Sequence, residues 1–303
     1  MKLTQVLKRR KRAVPILAAA LALLVLTGAL ATGKIAATAT TLKNVNVEKN
    51  DYATIDYSNL KEGYLSVAYT AGGSQRIKVQ ITKSGGVTYT YNLNNKGTAE
   101  TFPLTEGDGT YTVKVFRNTT GNKYAQLLTC TLDLKLRNAF LPFLYPNQYV
   151  NFTSDSKVVA KAEELCKGLT SDMDKLKAIY NYVINTFTYD KELAATVQSG
   201  YLPDVDKVLA AKKGICFDYA AVMSAMLRSQ SIPCKLVVGY AGTVYHAWVN
   251  IYIEGTGWIS NAIFFDGENW TLMDPTFASS GNSSESIMEY IGNGSNYTSK
   301  YAY

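Results

Sequence analysis

One histidine, His246, serves the whole 303-residue chain, and its four cysteines lie far apart with no CxxC pair. That scarcity argues against a zinc site, because structural zinc takes four closely spaced N or S ligands. The carboxylates show no calcium-loop spacing either, so no metal and no cofactor is expected. Prolines number only seven, too few for long disordered linkers. Acids are missing from the first stretch of the chain, where Lys2, Lys8, Arg9, Arg10, Lys11 and Arg12 stand. Without those residues the formal charge falls from +7 to +1, so the basic balance gives no case for a nucleic-acid partner.

Behind the basic stretch, Ala13 to Ala31 reads "AVPILAAALALLVLTGALA". A basic start, an apolar run and small residues at Ala29-Leu30-Ala31 or Ala37-Thr38-Ala39 are the pattern of a secretory signal. The run is also long enough to span a bilayer uncleaved. Residues 1–39 are therefore expected to be a signal peptide or an N-terminal membrane anchor. With the positive charge on the cytoplasmic side, either form puts the remaining chain outside, secreted or on the extracellular face. The membrane is then met only through this segment.

The chain beyond it divides by period. Over 45–137, short runs such as "YLSVAYT", "RIKVQIT", "VTYTYNL" and "TYTVKVF" alternate, separated by Gly72-Gly73, Gly85-Gly86 and Gly107-Asp108-Gly109. About seven such runs predict an antiparallel β-sandwich-like domain. Its tyrosines suit half-buried pleated surfaces, and a sugar-binding face built from them is the functional alternative. Residues 138–155, with Pro142 and Pro146 among aromatics, read as an ordered connector.

Helical spacing then takes over. Leu176, Ile179, Tyr180, Val183, Ile184 and Phe187 form one stripe behind Ser171 as N-cap. Helices are also expected over about 156–167, over 203–212, and from Cys216 until Pro233 bars continuation. Strand-like runs follow: "CKLVVGY", "VYHAWVNIYI", "GWISNAIFF" and "WTLMDPT". Helices before antiparallel strands predict an α+β domain over 156–278. Residues 279–303, rich in Ser, Asn and Gly, read as a polar tail with one helical turn at "SIMEYIG".

Cysteines in an exported chain raise the question of disulfides, and a Cys130–Cys166 bridge across the domain boundary stays open. A chain of this size has no need of staples. Cys216 follows Gly214-Ile215 at an expected helix start, where free N–H groups and the helix dipole favour thiolate. The commoner fate of such a thiol is to be packed as a small hydrophobe. His246 falls on the strand face shared with Trp248, Asn250 and Tyr252, opposite the apolar face of Tyr245, Ala247, Val249, Ile251 and Ile253. It is the side chain that titrates near neutrality without a shifted pKa. Asp274 ends a strand before Pro275, as a turn residue or as a carboxylate that orients the imidazole. A helix-borne Cys with His and Asp on later strands gives a plausible Cys–His–Asp triad. Trp248 is a candidate for lining a substrate groove, with core packing as the alternative.

The segments "GICFDYA", "LRSQSIPCKLVVGY", "HAWVNIYI" and "WTLMDPT", in that order, resemble the transglutaminase-like (papain-related) superfamily over about 157–277. The resemblance implies a triad at Cys216, His246 and Asp274, and thiol acyl transfer through a thioester to water or an amine. It departs from the family at Cys234, read as core packing, and at the long "EGTGWISNAIFFDGENW". The reading is a cysteine peptidase or amidase acting on extracellular protein or cell-wall peptide. A protein-crosslinking transglutaminase and a non-catalytic surface binding or assembly module are the alternatives.

Overall fold

The computed structural model describes residues 42–259, 263–265, 270–272 and 297–303. The signal-like segment 1–39, the "SIMEYIG" stretch and Asp274 lie outside the described residues.

The expected runs form two four-stranded antiparallel sheets. The first takes the order β1-β2-β3-β6 from β1 (Val47–Lys49), β2 (Ala53–Asp56), β3 (Tyr64–Tyr69) and β6 (Glu100–Pro103). The second takes the order β5-β4-β7-β8 from β4 (Ile77–Lys83), β5 (Thr88–Leu93), β7 (Gly109–Thr120) and β8 (Lys123–Leu134). Alternation decides which side chains meet between them. Ile77, Val79 and Ile81 of β4 and Tyr111, Val113 and Val115 of β7 point into one buried cluster with Ile55, Val67 and Phe102. Strand β3 is buried at every residue because its outer face is covered as well, where the Tyr64 ring meets Tyr145 of the connector at 4.9 Å. Strand β1 was not read from the sequence. Its residues Val-Glu-Lys are short and mostly exposed, and main-chain pairing with β2 holds them.

The α+β half begins with α1 (Lys157–Leu165) and α2 (Asp172–Thr186). Ser171 caps α2 as expected, its hydroxyl accepting the Asp174 N–H at 3.1 Å. Three short elements between α2 and α5 carry no signal in the sequence. They are α3 (Lys191–Thr196) and the two-residue strands β9 (Thr188–Tyr189) and β10 (Lys213–Gly214), which pair in parallel. After α4 (Val205–Ala211) comes the central α5 (Cys216–Ser229), buried at every residue from Asp218 to Arg228.

Helix α5 lies on a sheet ordered β13-β12-β11-β16, from β11 (Cys234–Ala241), β12 (Val244–Ile253), β13 (Gly257–Ile259) and β16 (Tyr297–Ala302). A short pair, β14 (Ile263–Phe265) and β15 (Trp270–Leu272), completes the described strands. Strand β16 corrects the reading of 279–303 as a polar tail, because the end of that stretch is an edge strand on β11. Its sequence, Tyr-Thr-Ser-Lys-Tyr-Ala, offers no continuous apolar face, and main-chain pairing holds it there. Among the described residues no helix is long and apolar enough to cross a membrane.

The two halves share one core. Tyr89 and Tyr91 of the sandwich meet Tyr303 at 5.6 and 5.9 Å, and Tyr149 of the connector meets Tyr303 at 4.4 Å. The buried cluster runs without a break from Ile55 in β2 to Ile259 in β13.

Candidate active site

Cys216 is the first residue of α5 and is partly exposed, as the sequence placed it. The chain reaches it through β10, where Gly214 accepts the Asp190 N–H at 2.8 Å. A Cβ on Gly214 would lie 2.6 Å from Cβ of Asp218, so this close approach requires glycine.

Asp218 closes the helix start. One carboxylate oxygen accepts the Ile215 N–H at 2.9 Å and the other accepts the Tyr201 hydroxyl at 2.7 Å. The residue is 0% exposed. Burial pushes its carboxyl above the ordinary aspartate value, and the hydrogen bonds from Tyr201 and Ile215 pull part of the way back. The sequence reading passed over this residue. A carboxylate at the third position of a helix is half of a capping box, and that signal stood in "GICFDYA". Tyr201, from a separate loop, carried no such signal.

The sheet face toward α5 is set by Cys234, whose sulfur lies 3.4 Å from the Ser224 hydroxyl of α5. Cys234 is fully buried, in keeping with a packing role, and burial pushes its thiol up to about 11. Register pairs Cys234 with Ile251, Leu236 with Val249, Val238 with Ala247 and Tyr240 with Tyr245. Those residues share the α5 face, and the apolar side read from the sequence is the one that packs on the helix.

His246 therefore projects from the opposite face, paired with Gly239. It is 6% exposed, with Trp248 and Tyr297 as ring neighbours at 6.4 Å each. Trp248 is fully buried in a small cluster with Val237, Ala241 and Tyr297. The face that His246 shares with Trp248, Asn250 and Tyr252 is buried at His246 and Trp248 and partly exposed at Asn250 and Tyr252. Of the two readings of Trp248, core packing is the one its burial matches. The residue that register brings to the Cys216 side is Tyr245, which is 59% exposed. Asp274 lies outside the described residues. All four cysteines are free thiols, so the Cys130–Cys166 bridge is not formed.

Residues 159–275 match the family model of the transglutaminase-like superfamily. The α+β half, with its cysteine-headed central helix on an antiparallel sheet, is thus transglutaminase-like. Among curated proteins, uncharacterized protein YebA of Bacillus subtilis (strain 168) is 26% identical over 188 residues, or 55% of this chain. That stretch is 25% of YebA, so the chain spans about a quarter of the length of this relative. The crystal structure of a putative cysteine protease from Cytophaga hutchinsonii aligns at TM-score 0.37 and 17% identity, covering 86% of this chain and 81% of that one. A putative protease from Parabacteroides distasonis ATCC 8503 aligns at TM-score 0.30 and 13% identity, covering 69% and 62%.

Proposed function

We propose that the chain is an exported, cysteine-dependent acyl-transfer enzyme, a peptidase or amidase acting on extracellular protein or cell-wall peptide bonds. The observation that carries this reading is Cys216, partly exposed at the first position of a buried helix in the transglutaminase-like segment. A sulfur at such a position faces the unpaired N–H groups of the first helical turn.

In the first step the Cys216 sulfur forms a bond to the carbonyl carbon of an amide. The carbon–nitrogen bond then breaks, and the leaving amine takes a proton from the imidazolium of His246. In the second step His246 removes a proton from water, the hydroxyl adds to the thioester, and the carbon–sulfur bond breaks to restore the thiolate. Asp274 orients the imidazole, and the Cys216 N–H meets the oxyanion. The roles of His246 and Asp274 are carried over from the superfamily resemblance. With an amine in place of water, the same steps crosslink proteins.

One observation favours a second reading, a surface binding or assembly module that keeps the fold without turnover. The imidazole of His246 and the α5 face lie on opposite sides of one sheet.

Amide hydrolysis and amine incorporation, measured on peptide and peptidoglycan-fragment substrates, test both. Cys216→Ala is expected to abolish the activity, and His246→Ala to lower it by about 10²–10⁴-fold. Activity that survives both substitutions rules out the triad. No turnover by the wild type on any of these substrates supports the binding module.

A further inference from the structure

The end of α5 that bears Cys216 is surrounded by aromatic rings, and two of them come from outside the segment that matches the superfamily. Phe217, next to Cys216 in the chain, meets the ring of Tyr149 from the connector edge-on at 5.4 Å. Tyr240 and Tyr245, cross-strand partners on the α5 face, meet at 5.6 Å. Tyr301 of β16 sits on the same side, paired with Val238. Tyr245 lies within electrostatic reach of Tyr301, Tyr240 and Cys216, and Tyr149 within reach of Tyr245 and Tyr301. Tyr149 and Tyr301 fall outside 159–275.

Tyr245 is the open member of the group, at 59% exposure. An aromatic residue that belongs to a ring cluster and still leaves most of its surface free has a face available to a ligand. The groups that bear on its phenol are the Tyr301 and Tyr240 phenols and the Cys216 sulfur, none of them a cation, and burial raises its pKa above the ordinary tyrosine value. A carboxylate laid against the ring faces of this wall would lose water and meet the negative side of the aromatic quadrupole. An aromatic or large apolar side chain would lose nothing polar and gain ring contact. Lys300 is the cation at the margin among the described residues, its ammonium 5.1 Å from the centre of the Tyr240 ring.

We propose that this tyrosine wall is the specificity surface of Cys216, selecting substrates with an uncharged aromatic or large apolar side chain beside the attacked carbonyl. The inference rests on Cys216 as nucleophile. It also gives Tyr149 of the connector and Tyr301 of the C-terminal strand a part in substrate choice.

The test compares alkylation of Cys216 by iodoacetamide, N-benzyl-iodoacetamide and iodoacetate at pH 7. Labelling is read by mass mapping of the cysteine peptides, and each rate is divided by that on N-acetylcysteine. The benzyl reagent is expected to exceed iodoacetamide by about 3–10-fold, the range of one ring–ring contact. Tyr245→Phe is expected to keep that ratio, and Tyr245→Ala to bring it toward one. Tyr245 is largely exposed, so its truncation leaves no core cavity. A ratio of one in the wild type, a ratio unchanged in Tyr245→Ala, or iodoacetate as the fastest reagent overturns the proposal. The nucleophile itself is judged separately: if iodoacetamide labels Cys216 no faster than Cys166 or Cys234, that reading fails, whatever the benzyl ratio.

Discussion

Asp218 shows what a single residue decides here. Its carboxylate holds the Ile215 N–H and the Tyr201 hydroxyl in a fully buried place. Burial raises its pKa in the folded chain above the ordinary value of 3.8. The sign of the pH effect follows. A raised folded pKa means that the proton is held more tightly in the native state, so this contribution to stability is complete below 3.8 and is lost as pH rises through the folded value. Asp218→Asn keeps an acceptor for the Ile215 N–H and removes the charge. Its melting temperature is expected to gain on the wild type as pH rises from about 4 to 7, measured by thermal scans across that range. Asp218→Ala leaves both donors without an acceptor and is expected to cost about 1–3 kcal/mol in urea unfolding. A loss of the same size in the Asn variant at pH 7 would show that the charge, and not the acceptor, holds the helix start. The pattern that marks Asp218 is local and could be read from "GICFDYA". Its partner Tyr201 could not, because only the folded loop brings it near.

Elements are held here by interactions that side-chain patterns do not announce. Arg228 of α5 is 1% exposed and spends its guanidinium on three carbonyls. Its Nε and one terminal nitrogen donate to Cys234 O at 3.0 and 2.7 Å, and the remaining bonds go to Tyr145 O at 2.8 Å and Tyr303 O at 2.7 Å. One side chain thus ties the central helix to β11, the connector and the end of β16. Arg228→Met matches the bulk but strands those carbonyls, and a loss of about 3 kcal/mol or more is expected in urea unfolding. Arg228→Lys is expected to recover little, because an ammonium cannot reproduce the planar fork. Full recovery by Lys would mean that charge alone is needed.

Strand β16 makes the same point for sheets. A polar stretch read as a tail becomes a strand because an open edge of β11 supplies the hydrogen bonds. The helices were legible because capping and a 3.6-residue period are local signals. α3, β1 and the β9–β10 pair were not, being too short for any period to emerge.

Over the whole molecule, the sandwich and the α+β half belong to one unit with one continuous buried cluster. The Gln148 side chain and the rings of Tyr149 and Tyr303 lie across the join, where Gln148 donates to Asn92 O of β5. A chain from residue 42 onward is expected to unfold in one calorimetric transition, with the van't Hoff and calorimetric enthalpies equal. Two resolved transitions would mean that the aromatic join is a weak contact between independent domains. The tyrosine wall belongs to this scale too, since the connector, β12 and β16 each contribute to it.

The sequence by itself determined the class of each half, the helix headed by Cys216, the need for Gly214 just before it and the apolar face of β12. Those follow from periods of two and 3.6 and from local capping chemistry. Only the tertiary structure decided which side of β12 meets α5. Alternation shows which face of a strand is apolar, but not which element covers each face. Packing against Ser224 and the rest of α5 assigns the Cys234 and Tyr245 side to the helix and the His246 side to the opposite cluster.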